Sequence, residues 1–424
     1  MTTAAVDLNR RWSTVYPELG TEPVPTEPCI SPEYFELERE RVFKKVWLYV
    51  GRVEEIPNPG SYLMKELPAA KTSVIIVRGK DGTIRTFHNI CSHRGNKLVW
   101  ENEGTCRGYF SCKFHGWTYD SQGQLVNVPD EEMFNNFRKS EHGLIAVATE
   151  VWEGFIFINV DPHPTQTLAQ YLGELGTRLS GFPYGQMTAN YTYRTELKCN
   201  WKIALDAFSE AYHVNYVHGN SYPDTFTGKN NPMCHIPEVK FYGPHRSCVV
   251  YGNPDHKPSP VAALAYRFGE SVTKRTAAMD QLPPGVNANR APEFAFDIDG
   301  IFPNLLLHIL PGMWFTHQFW PLAVDRTLWE GKAYWPPAKT PGERFAQEFN
   351  NVVLRSAWLE DTGTMEATHQ ALSSGVKKHF ILQEQEILVR HSYKVLEDYV
   401  SFYRRKPIVK KNGRRSTQHV PRNT

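Results

Sequence analysis

Two pairs of cysteine and histidine have the spacing to bind metal in this chain of 424 residues. Cys91-Ser92-His93 is followed, after 18 residues, by Cys112-Lys113-Phe114-His115, and each pair lies beside a turn that follows a strand-like run. Two thiolates and two imidazoles suit either a tetrahedral zinc ion or a [2Fe–2S] cluster with two Cys on one iron and two His on the other. Zinc fingers more often group their cysteines together, so the pattern favours the cluster and one-electron transfer. Cys106 has no histidine at the matching offset and is interpreted as a structural thiol.

A second group of polar residues lies in the segment 200–218, which looks helical. It contains His213 and His218, with Glu210 three positions and Asp206 seven positions before the first histidine. Residues five apart differ by about 140° around a regular helix, so the two histidines meet at one metal only if the helix widens or ends between them. We therefore predict such an irregularity. Two imidazoles and one carboxylate with open positions suit a non-haem Fe(II) that activates O₂. Glu210 shares a helical face with His213, either as a ligand or as an acceptor that holds the imidazole.

The third ligand of this second site is not fixed by spacing. The downstream acidic candidates are Asp297, Asp299, Glu360, Asp361 and Glu366. A histidine pair alone is weak evidence for a metal site. The cluster ligands in the same chain strengthen it, because an iron that activates oxygen needs an electron source.

The elements that must position these residues fall into two parts. Residues 46–162 contain short strand-like runs separated by turn residues; runs at 72–78 and 83–89 flank Gly79-Lys80-Asp81-Gly82, which predicts a hairpin. This part is predicted to be a small antiparallel β domain. Before it, Ser31 and Pro32 predict the start of a helix. Further strands are predicted at 109–114, 117–120, 125–128 and 155–160.

Residues 163–403 have a mixed pattern that predicts an α+β domain. Helices are predicted at 168–180, 200–218, 344–360 and 376–403, and strands at 190–197, 305–310 and 313–320. Residues 1–45 form an N-terminal arm and helix, and residues 404–424 form a basic tail.

The composition excludes several classes of protein. Hydrophobic residues make up 41% of the chain and charged residues 22%, which indicates a folded protein. The net charge is +2, but the tail holds eight basic and no acidic residues, so the remainder is mildly acidic and a general nucleic-acid binder is disfavoured. No run is long and apolar enough for a membrane span, and no signal-peptide pattern is evident. Seven cysteines do not indicate a disulfide framework, so a cytoplasmic location is expected.

Together these residues resemble the large (alpha) subunit of Rieske non-haem iron ring-hydroxylating oxygenases. The markers are Cys91-Ser92-His93-Arg94-Gly95, Cys112-Lys113-Phe114-His115-Gly116-Trp117, Asn200-Trp201-Lys202, Glu210-Ala211-Tyr212-His213 with His218, and Glu360-Asp361 ahead of Glu366. The resemblance implies that Cys91, His93, Cys112 and His115 hold the cluster, and that His213, His218 and Asp361 bind the mononuclear iron. Glu360 and Glu366 would then be neighbours of the iron site.

The resemblance also implies roles for two further carboxylates. Glu210 matches the residue that bridges an iron-ligand histidine to a cluster histidine of the neighbouring subunit, a position where many members have Asp. Asp206 falls where relatives often have Asn near the iron. The implied architecture is a Rieske β domain joined to a catalytic domain built on a helix-flanked antiparallel sheet. Subunits of the family form trimeric rings, sometimes with a small (beta) subunit, and electrons cross between chains.

The implied reaction uses O₂ and electrons relayed from NAD(P)H through a separate reductase, with or without a ferredoxin, and hydroxylates an aromatic or similar apolar substrate. The chain has no G-x-G-x-x-G fingerprint, so another protein must use the nucleotide. The electron would pass by His115 or His93 and Glu210. Alternatives are O- or N-dealkylation, a non-enzymatic Rieske electron carrier, and a zinc hydrolase. The candidate residues for an apolar pocket are Phe208, Leu306, His308, Phe315 and Trp320.

Overall fold

The structure is a computed structural model that describes residues 7–269 and 282–405, with side chains as far as residue 403. The predicted basic tail therefore lies, from residue 406 onwards, outside the described residues. Within the described ranges, no helix is both long enough and apolar enough to cross a membrane.

The N-terminal segment forms short elements before the first sheet. They are helix α1 (Trp12–Val15), strand β1 (Val24–Pro25) and helix α2 (Pro32–Glu38), which continues as a π-helical turn over Arg39–Phe43. The predicted start of α2 is confirmed, because the Ser31 side chain accepts a hydrogen bond from the Tyr34 N–H and Pro32 occupies the first turn.

The β domain consists of a large antiparallel sheet and a small one. Its strands are β2 (Leu48–Arg52), β3 (Ser61–Leu67), β4 (Thr72–Arg78), β5 (Ile84–His88), β6 (Glu103–Thr105), β7 (Tyr109–Ser111), β8 (Thr118–Asp120), β9 (Leu125–Asn127), β10 (Ala146–Trp152) and β11 (Phe155–Asn159). The large sheet has the order β2-β11-β10-β5-β4-β3-β6, and the small sheet has the order β7-β8-β9. The predicted hairpin is confirmed: β4 pairs with β5, and Gly82 takes the positive φ that the turn requires.

The second part of the chain is built on another antiparallel sheet, flanked by helices. Its strands are β12 (Ala189–Leu197), β13 (Glu238–Tyr242), β14 (His245–Tyr251), β15 (Phe294–Ile301), β16 (Leu305–Leu310), β17 (Met313–Ala323) and β18 (Arg326–Trp335). Their order is β12-β18-β17-β16-β15-β14-β13. Strand β19 (His379–Phe380) pairs separately with β1. The helices are α3 (Leu168–Leu179), α4 (Trp201–Ala207), α5 (Val214–Val217), α6 (Pro260–Tyr266), α7 (Pro341–Leu372), α8 (Ile387–Val400) and α9 (Phe402–Arg405). The α+β class and both predicted sheet types are confirmed.

Residues of β2 contact both large sheets. The Arg52 guanidinium lies 4.3 Å from the ring centre of Phe155 in the β domain and 5.4 Å from that of Trp314 on β17 in the second large sheet. The Gln318 amide donates a hydrogen bond to the Tyr49 carbonyl at 2.6 Å. A cation between aromatic faces and a satisfied buried amide hold the sheets in a fixed relation.

Two predicted helices are wrong in part. The helix predicted over 200–218 is two helices, because α4 ends at Ala207 and α5 begins only at Val214. The helix predicted over 376–403 begins only at Ile387; residues 379–380 form β19, and Glu384–Glu386 form a 3₁₀ turn that the Gln383 side chain caps. The sequence pattern also missed the strands between residues 238 and 301. In contrast, α7 is longer than predicted at both ends.

Candidate metal centres and active site

The two Cys–His loops of the β domain share one backbone pattern. The Gly95 N–H donates to the Cys91 carbonyl at 2.9 Å, and the Gly116 N–H donates to the Cys112 carbonyl at 2.9 Å. Both glycines have positive φ, at 76° and 74°. A tight turn therefore follows each cysteine and carries its histidine back towards the sulfur. Only glycine adopts this backbone conformation without strain.

The side chains of the two loops converge. The ring centres of His93 and His115 are 4.6 Å apart, and the side chains of Cys91 and Cys112 are buried in one cluster. The Nδ1 atom of His93 is enclosed and has no hydrogen-bond partner in the described chain. Enclosed polar atoms without partners are rare, and a metal bond would satisfy this one. These four residues therefore fit a [2Fe–2S] cluster held by two thiolates and two imidazoles.

Polar groups surround the two sulfur atoms. The Tyr119 hydroxyl lies 3.3 Å from the Cys91 sulfur, and the Asn96 amide lies 3.7 Å from the Cys112 sulfur. Burial raises the pKa of Cys91. Burial also acts on Cys112, but N–H groups such as that of Phe114 outweigh it and lower the pKa of that thiol. Hydrogen bonds to ligand sulfurs are among the features that set the potential of an iron–sulfur cluster.

A second set of ligand atoms meets between α5 and α7. The Nε2 atoms of His213 and His218 are 3.3 Å apart, and Asp361 Oδ1 lies 3.6 Å from the first and 3.4 Å from the second. Ligand atoms about 2.1 Å from one ion lie roughly 3 Å apart when they subtend a right angle. The three atoms thus fit one ion on a single face, as in a 2-His-1-carboxylate site.

A single helical turn brings the two histidines together. His213 immediately precedes α5, and His218 immediately follows its last residue, Val217. A helix therefore does end between them, as the spacing required. The larger break over residues 208–213 was not predicted. Asp361 comes from the middle of α7, where its side chain is only 3% exposed.

Two glutamates fix the orientation of the histidine rings. Glu210 Oε1 lies 2.5 Å from His213 Nδ1, and Glu360 Oε2 lies 2.9 Å from His218 Nδ1. An ionised carboxylate only accepts hydrogen bonds, so each Nδ1 carries a proton and each Nε2 presents its lone pair to the metal position. Glu360 also accepts from the Ser221 hydroxyl at 2.6 Å.

Glu210 has a second contact, with the backbone. Its Oε2 accepts hydrogen bonds from the Tyr212 and His213 N–H groups, which precede α5. The carboxylate lines the cavity beside the triad and also lines a second recess. We call this second space the acidic recess; it is lined by Ile203, Asp206, Ala207, Glu210, Thr364, Met365, Thr368, Phe380, Leu382, Glu386 and Val389. Glu210 therefore lies between the two spaces.

The remaining acidic candidates are held elsewhere. Asp297 and Asp299 both form ion pairs with Arg178 of α3, and Glu366 accepts a hydrogen bond from the Lys198 N–H at 2.9 Å. Asp206 accepts from the Tyr393 hydroxyl at 3.0 Å, and burial raises its pKa to about 7. Within the described residues, Asp206 has no hydrogen bond to either histidine of the triad.

An internal cavity opens beside the triad. Its wall consists of Ala207, Phe208, Glu210, Ala211, His213, Val214, His218, Tyr222, Phe226, Val250, Phe296, Ile298, His308, Phe315, His317, Leu354, Ala357, Trp358 and Asp361. Most of these side chains are apolar, as is typical of a pocket for a small organic molecule.

Three of the five predicted pocket residues lie in this wall, namely Phe208, His308 and Phe315. Leu306 and Trp320 do not line it, which corrects the prediction. Side chains of a strand alternate between its two faces, so Trp320 points away from the face of β17 that carries Phe315. Leu306 is fully buried in the core of the sheet.

Sequence reasoning missed other wall residues. His317 lies two positions after Phe315 on β17, and alternation alone would have found it. Phe296 and Ile298 were missed because β15 itself was not predicted. Trp358 lies one turn before Asp361 on α7. Residues three apart share a helical face, so choosing Asp361 as a ligand would also have indicated Trp358 as a wall residue.

Two family models match the chain. The ring hydroxylating alpha subunit (catalytic domain) model matches residues 185–401, and the Rieske [2Fe-2S] domain model matches residues 46–138. The chain therefore belongs to the family of Rieske-type ring-hydroxylating oxygenase alpha subunits.

Two curated relatives of the chain are named for different reactions. The chain is 34% identical over 187 residues to the carnitine monooxygenase oxygenase subunit of Escherichia coli K12, which covers 43% of this chain and 49% of that protein. It is 34% identical over 222 residues to the benzene 1,2-dioxygenase subunit alpha of Pseudomonas putida, covering 50% and 48%. The match thus spans about half the length of these relatives.

Solved structures share the fold over more of the chain. Naphthalene 1,2-dioxygenase from Rhodococcus sp. bound to indole has a TM-score of 0.71 at 20% identity, covering 94% of this chain and 98% of that one. A quaternary ammonium Rieske monooxygenase bound to gamma-butyrobetaine has a TM-score of 0.67 at 20% identity, covering 89% and 95%.

Proposed function

We propose that this protein is the oxygenase component of a system that uses O₂ and electrons from NAD(P)H, relayed by a separate reductase with or without a ferredoxin, to hydroxylate an aromatic or similar apolar substrate. The observation that carries the proposal is that the triad of His213, His218 and Asp361 faces an apolar cavity walled by aromatic rings. Such a cavity binds an organic substrate beside the metal position and keeps water out.

The residues divide between storing electrons and using them. Cys91, His93, Cys112 and His115 would hold a Rieske cluster that supplies electrons one at a time. His213, His218 and Asp361 would hold Fe(II), which supplies the activation of O₂ when it is bound. The protein keeps both Nε2 atoms available, because the neighbouring glutamates hold the protons on Nδ1.

The cavity favours an uncharged substrate. Among the described residues that line it there is no lysine or arginine, and two of its polar groups are the carboxylates of Glu210 and Asp361. A substrate carboxylate placed against the aromatic wall would lack a charged partner and would be costly to desolvate.

Dealkylation is the alternative reaction. Two kinds of relative are named for quaternary amines, carnitine monooxygenase and the glycine betaine monooxygenase of Chromohalobacter salexigens. The aromatic wall would suit a quaternary ammonium group through cation–π attraction. The absence of a basic lining residue counts against the carboxylate that carnitine and glycine betaine also carry.

Two different surfaces suit a head-to-tail assembly. The cluster loops expose Trp100 and Phe114, and the basic groups of Lys113 and Arg94 lie over these rings. The acidic recess with Glu210 would receive this surface of the neighbouring subunit. A repeated contact between two different surfaces closes into a ring when the rotation allows, so we propose a homotrimer. Electrons would pass from His93 or His115 of one subunit through Glu210 of the next.

Other parts of the proposal rest on the family. They are an assembly with or without a small (beta) subunit, a cytoplasmic location, and a division into an arm (1–45), a Rieske domain (46–162), a catalytic domain (163–403) and a tail.

Single-turnover chemistry tests the function. The protein is loaded with iron and sulfide, reduced with dithionite without oxygen, and mixed with ¹⁸O₂ and a panel of arenes, phenyl ketones and amines. We expect a Rieske EPR signal and ¹⁸O in a hydroxylated product. Formaldehyde instead would indicate N- or O-demethylation. Cluster oxidation without product would indicate an electron carrier, and bound zinc without acid-labile sulfide would indicate a zinc hydrolase.

A further inference from the structure

Two histidines outside the metal centres lie in the wall of the active-site cavity. His308 on β16 and His317 on β17 are 3% and 1% exposed, and their ring centres are 5.2 Å apart. Neither belongs to the triad. Buried histidines in a mostly apolar wall are polar groups that require hydrogen-bond partners.

The protonation state of His317 is set by a tryptophan. The Trp329 indole N–H lies 3.2 Å from His317 Nδ1. Because an indole nitrogen can only donate, Nδ1 must be the acceptor and carries no proton. Burial holds the pKa of His317 well below its usual value, so the ring is neutral near pH 7. Its single proton is therefore on Nε2.

The His317 ring is also fixed in direction. It stacks on Phe208 with centres 4.1 Å apart and meets Trp358 edge-on at 5.0 Å. Both neighbours line the cavity as well. No residue in the described part of the chain forms a hydrogen bond with Nε2. This leaves a rigid N–H donor without a partner in the wall of the cavity.

His308 adds a second polar position beside this donor. Its ring stacks on Phe315 with centres 4.3 Å apart, and neither of its nitrogens meets the geometry of a hydrogen bond. Burial lowers the pKa of His308 to about 3, although the nearby Asp297 backbone acts in the opposite direction. Both cavity histidines are therefore neutral hydrogen-bonding groups.

We infer that the substrate is an uncharged ring compound with a hydrogen-bond-accepting oxygen or nitrogen substituent, which the His317 Nε2–H binds so that the ring lies beside the triad. The inference rests on the proposed oxygenase function and narrows its substrate class. His317 is then the residue that determines specificity, and Trp329 is a positioning residue that keeps the proton on Nε2.

A pair of nearly isosteric probes tests this inference. Acetophenone carries a carbonyl oxygen where α-methylstyrene carries a CH₂ group. Their dissociation constants are measured by calorimetry with the full-length, metal-loaded, oxidised protein under anaerobic conditions. We expect the wild type to bind acetophenone about tenfold more tightly, because the analogue leaves a buried donor unpaired.

Variants separate the donor from the shape of the cavity. His317→Phe should reduce the tenfold ratio to about one. Trp329→Phe should reduce it in part, because His317 can then place its proton on either nitrogen. As a control, Phe226→Leu changes the cavity wall without altering a polar atom, so it should weaken both ligands and leave the ratio unchanged.

The result does not depend on turnover, because affinity is measured without O₂. Equal wild-type affinities, no measurable binding of either probe, or an undiminished preference in His317→Phe would each overturn the inference. None of these results would contradict the oxygenase proposal, which is judged by ¹⁸O incorporation.

Discussion

The cluster loops and the iron triad differ in how far apart their ligands lie in sequence and in how much of them reaches the surface. The four cluster residues fall within 91–115, and the rings of His93 and His115 are partly exposed. The triad joins one turn at 213–218 to Asp361; the side chains of His218 and Asp361 are 8% and 3% exposed, and that of His213 is 20% exposed. The difference suits their proposed tasks, since an electron store must be reached by another protein and an oxygen-activating site must exclude water.

Removing a triad ligand should have the largest effect and should separate the two centres. We expect His213→Ala to lose mononuclear iron and turnover and to keep the EPR spectrum of the reduced cluster. The reason is that two remaining ligands cannot hold the ion on one face. Iron content and single-turnover product measure this, with His163→Ala, an exposed loop histidine, as the control. Loss of both centres would show that they are not independent.

Removing a cluster ligand should leave the metal-binding triad intact. Cys112→Ser should abolish the visible and EPR signals of the cluster, because a serine hydroxyl is a poor substitute for thiolate at iron. The triad should still bind one metal ion per chain, as measured by metal analysis. Cys106→Ser provides the matched control, because its sulfur lies beside Gly60 rather than between the two cluster loops. A cluster that survived in Cys112→Ser would contradict the ligand assignment.

The same difference in sequence separation determines which metal ligands the sequence can predict. The cluster ligands could be chosen from spacing alone because both loops are local, and each is closed by its own glycine turn. Asp361 could not be chosen that way, because only the packing of α7 against α4 brings it near His213. Its assignment depended on family resemblance. The structure then places its Oδ1 within 3.6 Å of both histidine nitrogens.

The missed elements have a similar cause. Strand β15 contains Asp297 and Asp299, which were candidates for the third metal ligand, but both are buried against Arg178 from more than a hundred positions earlier. The break before α5 arises because the Glu210 carboxylate takes the Tyr212 and His213 N–H groups that a continuous helix would use. These ion-pair and hydrogen-bond partners determine the structure of both segments. The local hydrophobic periodicity of the sequence carries no information about them.

A smaller effect is expected where the two centres communicate. Glu210→Gln should keep both centres but slow electron transfer from cluster to triad roughly 10–100-fold, because the amide removes the charge that steadies the His213 ring. Rapid mixing of the reduced protein with O₂ and substrate measures the rate of cluster oxidation. Glu386→Gln, in the same recess but away from His213, should have less effect. A wild-type rate in Glu210→Gln would refute the bridge.

Substituting Glu360, the partner of His218, should change the affinity for iron rather than the rate of electron transfer. Glu360→Gln should weaken iron binding about tenfold, since Glu360 holds the His218 ring through Nδ1. Competition with a chelator measures the affinity. Glu366→Gln alters a carboxylate that contacts only the Lys198 backbone among its described partners, so its iron affinity should equal that of the wild type. Equal losses in both variants would indicate a general disturbance of α7.

The smallest expected difference lies between the two cluster loops themselves. Gly95 and Gly116 have nearly the same positive φ, so alanine at either should cost about 1–2 kcal/mol of backbone strain. A Cβ atom at Gly116 would lie 3.1 Å from Pro129 Cγ, whereas at Gly95 its nearest neighbour would be Ile90 Cδ1 at 3.7 Å. We therefore expect Gly116→Ala to lower the midpoint of thermal cluster bleaching by a few degrees more than Gly95→Ala. Equal midpoints would mean that Pro129 moves aside. The cluster loops would then tolerate crowding, whereas the buried triad, which is enclosed by packed helices, should not tolerate it.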